Sequence, residues 1–165
     1  AKQAFLKAAR IAHASGREVA LTLSDGFCVE RHRDTFLDLV ENHVDLLFAN
    51  EVEIMSLYQV DSFDDALQHV RGHCRVAALT RSDKGSNIVA NGEVPVVDAE
   101  PVTEVVDTTG AGDLYAAGFL YGYTRGADLG HAGRLGAIAA AEIITHVGAR
   151  PATKLDDVVR ERLDA

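Results

Sequence analysis

The chain has few of the residues that mark several protein classes. Its 165 residues include two cysteines, three prolines, one methionine and no tryptophan. Cys28 and Cys74 lack the spacing of a CxxC pair, so we expect two reduced thiols in a cytoplasmic protein rather than a disulfide framework. A hydrophobic fraction of 47% excludes a disordered or collagen-like chain.

Positive charge and long apolar runs are also scarce. Sixteen Lys and Arg residues stand against 25 Asp and Glu residues, for a net charge of −9. This charge would repel a phosphate backbone or an anionic membrane surface, so neither nucleic acid nor a membrane is an expected partner. No apolar run approaches the roughly 20 residues that span a bilayer.

The chain does alternate short apolar strands with helical segments. Such strands predict a mainly parallel, Rossmann-like sheet covered on both faces, a three-layer α/β/α fold in a single domain over residues 1–165. The dipeptide Asn91-Gly92 within Asn87–Val97 favours a type I′ hairpin turn, and hence a small antiparallel extension. The predicted strands of the parallel part are Val19–Leu23, Leu46–Ala49 and Val76–Thr80. The main predicted helices are Phe5–His13, Phe36–Val40, Glu51–Tyr58, Leu114–Tyr123, Leu129–Val147 and Leu155–Leu163, with one more after a cap at Ser62.

Polar residues follow the predicted strands at one edge of the sheet. Asp25, Asn50 and Thr80–Gly85 each come after a strand end. Ligands of open α/β sheets bind at the carboxyl ends of the strands, so we expect a binding site at this edge.

The segment Asp107–Asp113 (DTTGAGD) carries the strongest chemical signal. Gly110, Ala111 and Gly112 precede a predicted helix, whose first amides have no partner within the helix and can hold an anion. The Asp113 carboxylate at the edge of this cradle could accept a hydroxyl proton and direct that oxygen at a bound phosphorus. The alternative is that the glycines only form a tight turn and that Asp113 caps the helix.

Two other phosphate-binding motifs fit this segment less well. A dinucleotide-binding fingerprint needs a further glycine at position 115, where this chain has Tyr115. A Walker-type loop needs Gly-Lys-Ser/Thr, which does not follow.

Three motifs in the same order resemble those of a known family. Asp107–Leu120 (DTTGAGDLYAAGFL) resembles the C-terminal signature of ribokinase-like (phosphofructokinase-B type) sugar and nucleoside kinases. Asn50–Glu53 is similar to the Asn-x-x-Glu motif of that family, and Leu79–Ser86 is similar to its nucleotide-binding strand and turn. Ser24–Arg33 and Thr80–Ser86 look closest to bacterial adenosine-kinase-like sugar kinases.

The resemblance implies an ATP-dependent kinase that phosphorylates a hydroxymethyl group of a small-molecule sugar or nucleoside, with adenosine-like acceptors among the candidates. Asp113 would be the catalytic base, and Gly110, Ala111 and Gly112 would form the anion hole. A different class stays open, namely a non-catalytic nucleotide-binding or sensing module with the same fold.

The resemblance also implies metal ions. Asn50 and Glu53 would hold water on Mg²⁺ and help to set the phosphates, and the alternative is a helix N-cap followed by a solvated glutamate. Asp107, with the carbonyls of Thr109 and of the Gly148 region, resembles the monovalent-cation site of the family, with K⁺ as the candidate ion.

Four further positions would contact the nucleotide. Thr80, Ser82 and Gly85 would line the ribose and phosphates, with Ser82 standing where the family usually has glycine. Ala137 would form a wall of the adenine pocket. The alternatives are an ordinary polar connection for the turn and close helix-to-sheet packing for Ala137.

The matched motifs all belong to the second half of a typical family member. A helical pattern that begins at Ala1, without a cap or an initiator methionine, fits this placement. We therefore expect the C-terminal nucleotide-binding half of a longer kinase, whose acceptor-binding half and lid lie outside this sequence. The residues that would choose the acceptor belong to that other half, and the resemblance implies a homodimer through the lid as one arrangement.

Overall fold

The protein is described here by a computed structural model that covers residues 2–163. The chain forms two compact units. Unit 1 contains residues 2–80 and 89–94, and unit 2 contains residues 81–88 and 95–163. Within the described range, no helix has the length and apolar character needed to cross a membrane.

The strands of unit 1 form a parallel sheet. Strands β1 (Ala20–Thr22), β2 (Leu46–Asn50) and β3 (Val76–Thr80) pair in the order β1-β2-β3. Each of β2 and β3 has four buried residues followed by a more exposed polar one, Asn50 or Thr80. These two polar residues are register partners, so both lie at the carboxyl edge of the sheet.

Helices pack around this sheet and share its apolar core. Leu47 and Leu79 on the strands and Ile54 and Leu57 on a helix are fully buried in one cluster. The short helix α2 was not predicted, because its six residues are too few for a helical period to stand out. The helices of unit 1 are α1 (Lys2–Ala14), α2 (Gly26–Arg31), α3 (Arg33–Asn42), α4 (Glu51–Tyr58) and α5 (Phe63–Val70).

The predicted hairpin is present. Strand β4 (Ser86–Val89) pairs antiparallel with β5 (Val96–Val97). Asn91 and Gly92 both have positive φ, +49° and +83°, as a type I′ turn requires. Parallel strands with helices on their sides and an antiparallel extension confirm the predicted α/β fold class.

Three helices dominate unit 2: α6 (Ala111–Tyr123), α7 (Leu129–Ile143) and α8 (Leu155–Leu163). The predicted start of α6 at Leu114 is wrong. Gly110 adopts the left-handed conformation (φ +85°) as N-cap, which lets residues 111–113 enter the first turn.

The predicted end of α7 at Val147 is also wrong, because other groups take the hydrogen bonds that would extend the helix. The amide of Gly148 would donate to Ile144 O in a longer helix, but it donates instead to Asp107 Oδ2 at 3.0 Å. The Ile144 carbonyl accepts from Val106 and Asp107, and Thr145 Oγ1 donates to the Glu142 carbonyl at 2.8 Å. Helix α7 therefore ends at Ile143.

Glycines let α6 and α7 approach until their backbones touch. A Cβ on Gly118 would overlap the Leu135 carbonyl oxygen and lie 2.8 Å from its carbon. A Cβ on Gly136 would lie 2.8 Å from the Tyr115 carbonyl oxygen. The small residues of these helices thus have a packing role in unit 2.

Gly118→Ala is expected to lower the free energy of unfolding by about 3 kcal/mol, at the upper end of the usual overpacking cost, because the added methyl group meets backbone that cannot rotate away. Gly112→Ala on the same helix is the matched control, since a Cβ there meets nothing within 4 Å. Urea denaturation of both variants checks this result. Equal stability of the two would contradict the close helix contact.

Candidate functional site

The predicted site residues fall in both units, and each set is described within its own unit. Unit 1 holds Asn50, Glu53 and Thr80. Unit 2 holds Ser82, Gly85, Asp107, Thr109, Gly110, Ala111, Gly112, Asp113 and Ala137.

Asn50 and Glu53 close a complete capping box at the start of α4. Asn50 Oδ1 accepts a hydrogen bond from the Glu53 amide at 2.9 Å. In return, Glu53 Oε2 accepts from the Asn50 amide at 2.9 Å, and Oε1 accepts from Asn50 Nδ2 at 2.8 Å. The pair is therefore held rigidly where β2 ends and α4 begins.

Glu53 is buried, so the alternative of a solvated glutamate at this position is wrong. Its exposed fraction is 6%. Burial raises the pKa of its carboxyl group, the hydrogen bond from the Asn50 amide opposes this shift, and the charge of Asp25 adds to it. Each carboxylate oxygen accepts one bond from Asn50 and keeps a second acceptor position. These remaining acceptor positions can take hydrogen bonds from a metal-bound water.

The turn at residues 81–85 has tight backbone geometry. The Arg81 amide donates to the Gly85 carbonyl at 2.7 Å, around a 3₁₀ turn at Ser82–Lys84. A Cβ on Gly85 would overlap the Val97 carbonyl oxygen, so only glycine fits there. Ser82 adopts φ +53°, a left-handed conformation that favours glycine.

Several amides at the start of α6 are free. The Ala111 amide donates to the Thr108 carbonyl at 3.1 Å, and the Leu114 amide donates to the Gly110 carbonyl at 2.9 Å. Within residues 2–163, the amides of Gly110, Gly112 and Asp113 have no hydrogen-bond acceptor. Free donors at the positive end of a helix form an anion-binding site.

The Asp113 side chain lies at the third position of α6, next to these amides in sequence. Asp113 and Gly112 are both exposed. In the part of the chain that the structure describes, the Asp113 carboxylate makes no hydrogen bond or ion pair. Both of its oxygens are therefore available to a ligand.

Asp107 connects the loop before α6 with the segment that follows α7 by hydrogen bonds. Its Oδ1 accepts from the Thr109 amide at 2.9 Å and from Thr109 Oγ1 at 2.7 Å, while Oδ2 accepts from the Gly148 amide. These hydrogen bonds, with that from Gly148 as the largest contribution, lower the pKa of Asp107 to about 2. The hydrogen bond from the Gly148 amide joins residues that are 41 positions apart, and no local sequence pattern predicts it.

Ala137 lies on α7 with 8% of its surface exposed. Most of its neighbours on that helix are also buried. Its place beside a nucleotide base stays a prediction.

Known proteins resemble this chain along nearly its whole length. The model of the pfkB family of carbohydrate kinases matches residues 1–155. A crystal structure of a probable sugar kinase protein from Rhizobium etli CFN 42 is 49% identical with a TM-score of 0.95, and the match covers 98% of this chain and 49% of that one. The adenosine kinase structure from Sinorhizobium meliloti is also 49% identical, with a TM-score of 0.93 over 96% of this chain and 49% of that one.

A curated relative adds a second named nucleoside activity. The cytidine kinase of Thermococcus kodakarensis is 34% identical over 122 residues, which cover 72% of this chain and 43% of that protein. The chain thus spans less than half the length of each of these three proteins. The predicted resemblance to ribokinase-like kinases is confirmed: the chain belongs to the pfkB family of carbohydrate kinases.

Proposed function

We propose that this chain is the nucleotide-binding half of a kinase that transfers the γ-phosphoryl group of ATP to a hydroxymethyl group. The observation that carries the proposal is the set of free amides at Gly110, Gly112 and Asp113, next in sequence to the unpaired Asp113 carboxylate. Family membership and the kinase names of the relatives support it.

In this proposal, Asp113 takes the proton of the acceptor hydroxyl. The acceptor oxygen then forms a bond to the γ-phosphorus, the bond from that phosphorus to the β–γ bridging oxygen breaks, and ADP leaves. Negative charge spreads over the phosphoryl oxygens during transfer. The free amides of Gly110 and Gly112 face that charge as a preorganised anion hole, which also includes Ala111, although its amide already donates to the Thr108 carbonyl.

Asn50 and Glu53 hold the water shell of Mg²⁺ in this proposal, since Mg²⁺ keeps several waters and prefers oxygen ligands. When bound with ATP, Mg²⁺ neutralises charge on the phosphates. Asp107 and Thr109 belong to a monovalent-cation site, where Asp107 Oδ2 retains an acceptor position beside its bond from Gly148.

The same proposal places the rest of the nucleotide. Thr80, Ser82 and Gly85 line the ribose and phosphates, and the tight turn at 81–85 allows close backbone approach. Ala137 forms one wall of the adenine pocket. The acceptor is a sugar or a nucleoside, and the adenosine and cytidine kinases among the relatives make nucleosides the first acceptors to test.

The test is an acceptor panel with the protein that contains this chain. MgATP is supplied with adenosine, cytidine, ribose or fructose, ADP is followed by a coupled assay, and products are identified by mass spectrometry. We expect ADP to form with at least one acceptor, together with its monophosphate. ATP binding by calorimetry without ADP formation for any acceptor would instead support the nucleotide-sensing module.

A further inference from the structure

A buried hydrogen bond in unit 2 joins the two segments to which the proposed function assigns the nucleotide phosphates. The Tyr115 hydroxyl donates to Ser86 Oγ at 2.7 Å. Both residues are almost fully buried, at 4% and 1% exposure. Tyr115 follows Asp113 by two positions on α6, and Ser86 directly follows Gly85. The bond therefore connects the start of α6 with the turn at 81–85.

The surrounding packing leaves the Tyr115 ring little room to move. A Cβ on Gly136 would lie 3.0 Å from ring atom Cδ2, so glycine there makes space for the ring. The ring also stacks on Phe119, with centroids 6.4 Å apart. Burial raises the pKa of the Tyr115 hydroxyl to about 12, which keeps its proton available for donation at neutral pH.

Apolar packing alone does not require this hydroxyl. Phenylalanine would fill nearly the same volume without a polar atom that needs a partner. A buried polar pair whose members satisfy each other fixes one arrangement of the elements that carry it. The elements fixed here are the start of α6 and the end of the turn at 81–85.

We propose that Tyr115 and Ser86 are positioning residues for phosphoryl transfer. Their hydrogen bond fixes the position of the free amides and the Asp113 carboxylate relative to the turn at 81–85. This inference rests on the proposed function, because this relative position matters only if both segments hold the same nucleotide. Neither side chain is assigned to the reacting atoms: Tyr115 acts through Asp113, two positions before it, and Ser86 acts through the adjacent Gly85.

The test is a double-mutant cycle in the protein that contains this chain, using the acceptor identified by the panel. Tyr115→Phe and Ser86→Ala are each expected to lower kcat/KM for ATP about tenfold, since small misalignments of reacting groups are costly. The double variant should lose no more than either single variant, because both remove the same bond. The KM of the acceptor should not change. The matched control is Tyr121→Phe, which removes a hydroxyl from the same helix at a residue that is 48% exposed.

The outcomes separate the two proposals. Wild-type kcat/KM in Tyr115→Phe and Ser86→Ala, with only a lower melting temperature, would overturn the positioning role. Losses that add in the double variant would also overturn it. If the wild-type protein binds ATP but turns over no acceptor, the kinase proposal fails. The positioning role in phosphoryl transfer falls with it, and the cycle run on ATP affinity by calorimetry then tests only whether the hydrogen bond holds the two nucleotide-binding segments together: a non-additive loss supports this and its absence overturns it.

Discussion

Replacing Asp113 by asparagine is expected to abolish turnover while ATP still binds. A general base typically contributes about 10²- to 10⁴-fold to the rate, so we expect kcat to fall by about a factor of 10³. Asparagine has nearly the same shape and leaves the amides of Gly110 and Gly112 in place. It also removes a negative charge near the triphosphate, so ATP affinity should be equal or higher. Steady-state kinetics and calorimetry on one preparation measure both quantities.

The control for this variant is Asp128→Asn. Asp128 is also an exposed aspartate near a helix N-terminus of unit 2, where its Oδ1 accepts from the His131 amide at 2.9 Å. Asparagine is an equally good N-cap, so wild-type turnover is expected. Near wild-type turnover in Asp113→Asn would exclude Asp113 as the base. Joint loss of turnover and ATP binding would assign it a role in nucleotide binding.

Several elements could be predicted from the sequence because local signals agree there. The prediction of β3 over Val76–Thr80 and of α4 over Glu51–Tyr58 is confirmed at both ends. An apolar strand followed by an Asn cap leaves little choice about where the chain turns. The hairpin at Asn91-Gly92 was predictable for a similar reason, since few dipeptides accept two positive φ angles.

The errors in the fold come from one contact between distant residues and from local conformations that the sequence permits but does not impose. The length of α7 depends on Asp107, which takes the Gly148 amide that a longer helix would need. The start of α6 depends on the conformation of Gly110, which a glycine permits but does not impose. Periodicity gives the existence of such helices more reliably than their ends.

The candidate site likewise has features with a local sequence signal and features that depend on packing between separate elements. The helix N-cap that was the alternative role of Asn50 is confirmed by its capping box with Glu53. The burial of Glu53 was not predictable, because it depends on the elements packed around α4. The free amides at the start of α6 follow from the sequence of Asp107–Asp113, because the first amides of a helix have no partner within the helix and Gly110 brings no capping side chain. Their proposed role in phosphoryl transfer needs the variants described here.

Gly112→Val is expected to weaken ATP binding without disturbing the fold. A Cβ at Gly112 meets nothing within 4 Å apart from its chain neighbours and its own helix, so the space beside this position is open. The added side chain would occupy the space in which a phosphate approaches the free amides of Gly112 and Asp113. Loss of one hydrogen bond to a charged group costs about 1.5 to 3 kcal/mol, which corresponds to an affinity about 10- to 150-fold lower.

ADP, which lacks the γ-phosphoryl group, is the internal control for Gly112→Val. Calorimetry with ATP and with ADP separates the contact to the transferred phosphoryl group from the rest of the nucleotide site. We expect only ATP to lose affinity, with an unchanged melting temperature of the protein. Equal losses for both ligands would indicate a distorted pocket. Unchanged ATP affinity would mean that the phosphate lies elsewhere, and the anion hole at the start of α6 would then have to be abandoned, because a valine at position 112 leaves no room for an anion against that amide.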